Sequence, residues 1–234
     1  MRRSVIVWTL LAAAAGVPAA GHRPAGPKTF RVRVENASVR GTLTPSTGPE
    51  MAATLSAGVW VVHDAFGPLF TTGRPDRGDG LEQLAEDGNP GKLAAYLRSR
   101  EGVLASGVFG CPGDRPLGPG DAVEFAIPAS PGARLSLALM LRESNDLFFA
   151  PIEAGIALFD ARGRPLSGDV TDQILLWDAG TEIHQEPGLG CFQGSRQARP
   201  GAGFPERGTV QPVEDGFVYP DVSRVVRVTI AATR

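Results

Sequence analysis

Glycine and proline punctuate this chain so densely that long regular helices have little room in it. There are 30 Gly and 20 Pro among 234 residues, and either residue weakens or ends a helix. Between these breaks recur short runs rich in β-branched and aromatic residues. The first, Phe30-Arg31-Val32-Arg33-Val34-Glu35, alternates apolar and polar residues, as a strand with one buried face requires. Further candidate strands are Gly58 to His63, Val103 to Phe109, Ala122 to Ile127, Arg134 to Leu141, Gly155 to Phe159, Asp172 to Trp177 and Val222 to Ala231. Eight such runs predict an all-β protein, an eight-stranded antiparallel β-sandwich of C2-like or jelly-roll-like type. One region departs from the pattern. Leu81 to Gly88 and Gly91 to Leu97 have helical spacing and Ala/Leu/Glu content, which predicts two short helices capping one end of the sandwich. Gly188 to Pro205 is Gly/Pro/Arg-rich and aperiodic, and reads as a long surface loop. No repeat of fixed period is present, so a solenoid has no support.

At the N-terminus, Arg2 and Arg3 precede the apolar run Val5 to Ala15 and the small-residue stretch Val17-Pro18-Ala19-Ala20. This is the pattern of a secretory signal peptide cleaved after Ala19, and the run is too short to span a bilayer. The expected organisation is a signal peptide at 1–19, a flexible segment at 20–28 and one domain at 29–234, placed in the periplasm or secreted. Removing the signal takes away two of the 23 basic residues and none of the 25 acidic ones, leaving a formal charge of −4. That sign disfavours nucleic acid as a partner. In an oxidising compartment the two cysteines, Cys111 and Cys191, are expected to form a disulfide. A redox or metal role has less to recommend it, because they sit in separate Gly/Pro-rich loops without CxxC spacing.

The inventory for catalysis is thin. His22 lies in the loose segment behind the cleavage site, leaving His63 and His184. No G-x-S-x-G elbow, H-E-x-x-H helix, Walker loop or dinucleotide fingerprint is present. His63 beside Asp64 at a strand end could pair a base with its orienter, or make an ordinary surface hydrogen bond. If Glu182-Ile183-His184-Gln185-Glu186 is extended, Glu182, His184 and Glu186 share a face. Such a set could hold a transition metal but is short of ligands. The stronger signal is a set of acids at strand ends and in loops: Glu124, Asp146 and Asp178, each beside apolar or aromatic neighbours. Gathered at one edge of a sandwich they would repel one another, and a divalent cation would relieve that repulsion. Calcium, a hard ion that takes six to eight oxygen ligands, is the natural occupant. Read on spacing alone, the same acids could also be solvated turn residues.

At these residues the sequence resembles the spondin N-terminal domain family, found in F-spondin and mindin and alone in many bacterial exported proteins. The resemblance is carried by Phe30 to Asn36, Gly80 to Gly88, Pro131 to Leu137, Ser144-Asn145-Asp146 and Trp177-Asp178-Ala179-Gly180-Thr181-Glu182, in that order, and it covers roughly residues 29–231. It implies an eight-stranded antiparallel sandwich similar to C2 domains that binds calcium through three carboxylates, here Glu124, Asp146 and Asp178, with Glu182 in the outer shell. It further implies a binding or adhesion module, not an enzyme, for a protein or carbohydrate ligand at the cell envelope or surface. The thrombospondin repeats that accompany the domain in animals are missing from this sequence. The competing expectation is an envelope hydrolase that uses a metal with Asp146, Asp178 and His184.

Overall fold

The computed structural model of the chain describes residues 26–233; the expected signal peptide at 1–19 and His22 lie outside the described residues. The strands are β1 (Lys28–Asn36), β2 (Leu55–His63), β3 (Val103–Phe109), β4 (Ala122–Ala129), β5 (Arg134–Leu141), β6 (Leu147–Pro151), β7 (Ile156–Ala157), β8 (Gly168–Asp169), β9 (Ile174–Asp178), β10 (Gln211–Pro212) and β11 (Val226–Ala232). Two helices, α1 (Leu81–Asp87) and α2 (Gly91–Leu97), lie between β2 and β3. The strands form two sheets with antiparallel pairing throughout. A four-stranded sheet runs β4-β1-β11-β8, and a larger one runs β10-β9-β6-β5-β2-β3, with β7 also on β5. The all-β sandwich expected from the sequence is therefore what forms. No helix among the described residues is long and apolar enough to cross a membrane.

The two sheets differ in what covers them. In the small sheet, Phe30, Val32 and Val34 of β1 are buried while Arg31 points to solvent, and Val34 pairs with Val228 of β11. This is the period-two pattern of a sheet with one wet face. In the large sheet, Leu135 to Leu141 of β5 and the whole of β6 are buried without alternation. The reason is that both faces are covered. One packs on the small sheet through Leu135, Leu137, Leu139 and Phe149. The other carries the helices, whose Leu81, Leu84, Leu93 and Leu97 pack on Val59, Val61, Ala138 and Phe148.

The helices were expected at one end of the sandwich, and instead they lie flat on the outer face of the larger sheet. Their close approach depends on Gly80, which takes φ 116° at the start of α1, where a Cβ would fall 2.3 Å from the main-chain nitrogen of Leu93. Gly88 ends α1 in the left-handed region, a common helix stop.

Three other expectations need correction. Residues 147–151, not among the candidate strands, form the strand β6, while the expected strand Gly155 to Phe159 shrinks to the two-residue β7. The 188–205 stretch is the irregular loop expected, tied down by the buried Gln193 side chain. Its Oε1 accepts from the Gly188 N–H at 2.9 Å, and its Nε2 donates to the carbonyls of Glu186 (2.7 Å) and Gln185 (3.2 Å). The expected Cys111–Cys191 bridge is not made: Cys111 is buried in the core between the sheets and Cys191 is exposed on the 188–205 loop, both as free thiols. His63 is not a surface partner of Asp64. It is fully buried, with Nδ1 2.6 Å from the Ala65 carbonyl and Nε2 2.9 Å from Ser136 Oγ, and burial lowers its pKa.

Double coverage makes the large sheet the part least tolerant of a cavity. Phe148 is fully buried and meets Phe70 edge to face at 5.5 Å. Phe148→Ala is expected to cost about 3–5 kcal/mol in urea denaturation, whereas Leu175→Ala, on a partly exposed β9 position, should cost under about 1.5 kcal/mol.

Candidate functional site

The register of β6 on β9 sets the position of the site. Leu147 lies opposite Asp178, so Asp146, one residue before β6, and Asp178, the last residue of β9, arrive at the same end of the large sheet. The turn into β6 is held by Ser144, whose hydroxyl donates to the Leu141 carbonyl (2.6 Å) and accepts from the Leu147 N–H (3.1 Å). Asp146 then points inward with 0% exposure.

The chain leaving β9 wraps around that carboxylate. Gly180, at φ 68°, donates its N–H to Asp178 Oδ1 at 2.6 Å. The next two residues turn back onto Asp146: its Oδ2 accepts the N–H of Thr181 (2.7 Å), the Thr181 hydroxyl (3.2 Å) and the N–H of Glu182 (3.0 Å).

His184 completes the cluster. Its Nε2 lies 2.9 Å from Asp146 Oδ1 and 3.4 Å from Asp178 Oδ1, and its Nδ1 lies 2.6 Å from Asp215 Oδ2. Asp215 in turn accepts from the Tyr219 hydroxyl (2.6 Å) and the Phe217 N–H (2.9 Å). Burial alone would drive the proton off His184, but the carboxylates of Asp146 and Asp178 outweigh it and push its pKa up to about 11. At neutral pH the ring is an imidazolium and both nitrogens donate. Burial would raise the Asp178 pKa, yet the same cation holds it below the usual carboxylate value. Burial and the Asp215 carboxylate push the Tyr219 phenol well above its ordinary value, so it stays a donor. Behind the cluster, burial pushes Glu86 up to about 8 and also raises Glu182.

The structure brings together two of the three expected metal carboxylates. Glu124 is elsewhere: it lies on the edge strand β4 of the small sheet, opposite Arg33, with its side chain 47% exposed and 3.9 Å from Arg31. The alternation of β4 turns Ile127 inward and Glu124 outward. Glu182 does sit behind Asp146 through its main-chain N–H. Its carboxylate accepts from Asn145 Nδ2 (3.3 Å) and the Gly203 N–H (2.9 Å). The shared face that Glu182, His184 and Glu186 would have in an extended segment does not form; Glu186 accepts from the Ser46 hydroxyl at 2.6 Å. Asp215 and Tyr219 were not singled out from the sequence; nothing in the spacing of Asp215-Gly216-Phe217-Val218-Tyr219 ties them to a histidine 31 residues earlier.

For a metal, Asp146, Asp178 and His184 each offer one ligand atom, all within 4.8 Å of one another. Two carboxylates and an imidazole suit a zinc- or manganese-type ion better than calcium, and the imidazole would first have to lose its proton. The three-carboxylate calcium set does not fit, since Glu124 is in the other sheet and Asp146 Oδ2 is already taken by three donors. The cluster opens into a cleft lined by Asp178, His184, Glu206, Glu214 and Asp215, with Ile183 and Phe217 beside them.

No family model matches the chain, and no curated protein matches it.

His184→Gln should expose what the imidazolium does. Its folded pKa lies above the reference value of 6.5, so its stabilisation is full below about pH 6.5 and fades as pH rises through about 11. In chelator-treated buffer at pH 7 the variant is expected to lose about 3–5 kcal/mol, the effect of stripping one partner from a buried ion pair. The gap between wild type and variant, followed by chemical denaturation, should narrow steadily toward pH 11. A constant gap would overturn the assignment of charge to His184.

Proposed function

We propose that this chain is an exported, non-catalytic binding module that takes an envelope or extracellular ligand in the cleft at the Asp146–Asp178 end of the sandwich. The observation that carries this reading is the state of His184. A general base at neutral pH must be free to accept a proton, and this ring is engaged at both nitrogens by carboxylates and holds its proton to about 11. That argues against the hydrolase alternative, in which Asp146, Asp178 and His184 would do chemistry. The same contacts suit a binding surface, because they give the cleft a floor fixed by internal hydrogen bonds before any ligand arrives.

The spondin resemblance supports the same class of activity and implies calcium. On the donors present, the role expected of calcium falls to the His184 imidazolium, which already lies between Asp146 and Asp178 and neutralises part of their charge. Millimolar calcium or excess chelator should each move the melting temperature by less than about 1 °C. A bound calcium at about 100 times its dissociation constant would add about 2.7 kcal/mol, a shift of about 5–10 °C for a domain of this size. A shift of that order would restore calcium to the site.

The surface itself is tested by capture. The immobilised chain should retain a component of a bacterial envelope extract, and Ile183→Lys, at the cleft, should release it. Leu104→Lys, on the edge strand β3, should not. Release by both variants or by neither, or hydrolysis of a chromogenic ester or phosphodiester that His184→Gln abolishes, would sink the binding reading.

A further inference from the structure

The mouth of the cleft combines two features seldom found together on an inert surface. Its rim is apolar and exposed: Ile183 (56%), Phe204 (65%), Phe217 (37%) and Val218 (83%). These residues are contiguous. The Ile183 N–H donates to the Phe204 carbonyl at 2.9 Å, Ile183 and Phe217 both line the cleft, and Val218 follows Phe217 into an adjoining hollow with Leu43 and Pro45. Phe204 is held edge to face by Phe192 at 5.3 Å, so the rim is braced from behind. Contiguous exposed apolar residues on a soluble domain mark interaction surfaces.

Inside the rim acidic groups outnumber basic ones. Asp178, Glu206, Glu214 and Asp215 line the cleft, and none of its described lining residues is lysine or arginine. His184, also in the lining, is engaged by Asp146, Asp178 and Asp215, which leaves Glu206 and Glu214 with no basic side chain paired to them. Glu206 and Glu214 are exposed, and neither makes an ion pair or a side-chain hydrogen bond among the described residues.

We infer that the cleft takes a basic peptide segment, lysine or arginine side chains entering toward Glu206 and Glu214 while neighbouring apolar side chains lie on Ile183, Phe204, Phe217 and Val218. Charge complementarity selects the sign of the partner, and the rim selects its amphipathic character. A single metal ion would use the carboxylates but leave the rim in water. A neutral sugar would leave the acidic groups unmatched. The inference rests on the binding reading above and gives that cleft its partner class.

The test uses the full chain and a short fluorescein-labelled peptide of alternating lysine and leucine, read by anisotropy. Binding is expected, weakening as salt is raised, and the counterpart with glutamate in place of lysine should not bind. Glu206→Gln/Glu214→Gln should weaken the lysine peptide about tenfold. Ile183→Ser/Val218→Ser should do so to a similar degree, with all variants checked for unchanged melting. Asp172→Asn/Asp221→Asn removes the same charge from exposed positions that line a separate hollow and should leave affinity within about twofold. Equal losses from the two acidic double variants mean general attraction to an acidic protein and overturn the proposal, as does tight binding of the glutamate peptide or indifference to the rim variant. Capture of an envelope component that depends on Ile183, together with no binding of the lysine peptide, would keep the cleft as a binding surface and discard only the cationic partner.

Discussion

Asp146 is a carboxylate with no solvent contact, and much of this end of the molecule is arranged to make that tolerable. A buried, unpaired carboxylate is too costly for a domain of ordinary stability. Here one oxygen takes three donors from Thr181 and Glu182, and the other faces the His184 imidazolium. Each of those partners is a constraint on the chain. The donors fix the turn after β9, the turn delivers His184, and the second nitrogen of His184 fixes Asp215, which in turn holds Tyr219 and the 215–219 loop. A stretch of 41 residues with only a two-residue strand in it, from Ala179 to Tyr219, is thus organised from one strand-end carboxylate. A buried ion pair is weak grounds for net stability, but it is strong grounds for a unique local arrangement, because removing one member strands the other.

The fold was legible where periodicity is local and less so where burial is complete. The alternation in β1 and the 3.6-residue spacing of Leu81, Leu84, Leu93 and Leu97 each point to one buried face, and those elements formed where expected. Leu147-Phe148-Phe149-Ala150-Pro151 has no alternation because both its faces are covered, and a short apolar run of that kind carries no period to read. It follows Ser144-Asn145-Asp146, a turn signal, and was not among the candidate strands. The placement of the helices was lost for the same reason. Nothing in α1 or α2 says whether its apolar stripe meets the end or the face of a sheet; that is decided by Val59, Val61, Ala138 and Phe148, residues that also look like ordinary core.

At the site, Asp146 and Asp178 were legible because each sits at a strand boundary beside aromatic residues, and antiparallel neighbours bring such boundaries together. Glu124 shows the limit of that argument. It lies inside its strand, and the alternation with Val123, Phe125 and Ile127 already places it on the opposite, outward face. The carry-over from the family outweighed a period-two signal that was present in the sequence. His184 and Asp215 show the other limit. Their pairing spans loops whose course is set by tertiary hydrogen bonds, not by propensity.

The repulsion among strand-end carboxylates that suggested a metal is real, and His184, set between Asp146 and Asp178, can offset part of it when protonated. An imidazolium carries one charge where a divalent ion carries two, so the cluster of Asp146, Asp178, Asp215 and His184 keeps a net charge of −2 and its surroundings stay strongly acidic. That residue of charge has two consequences in opposite directions. Behind the cluster it adds to burial in raising Glu86 and Glu182, whose carboxyls then face protein interior. In front of it, the field emerges through the cleft between exposed apolar residues, where low-dielectric walls concentrate it on an approaching cation. The internal pairing of His184 with Asp146, Asp178 and Asp215 therefore leaves the mouth of the site acidic and partly apolar, in keeping with the binding reading proposed above.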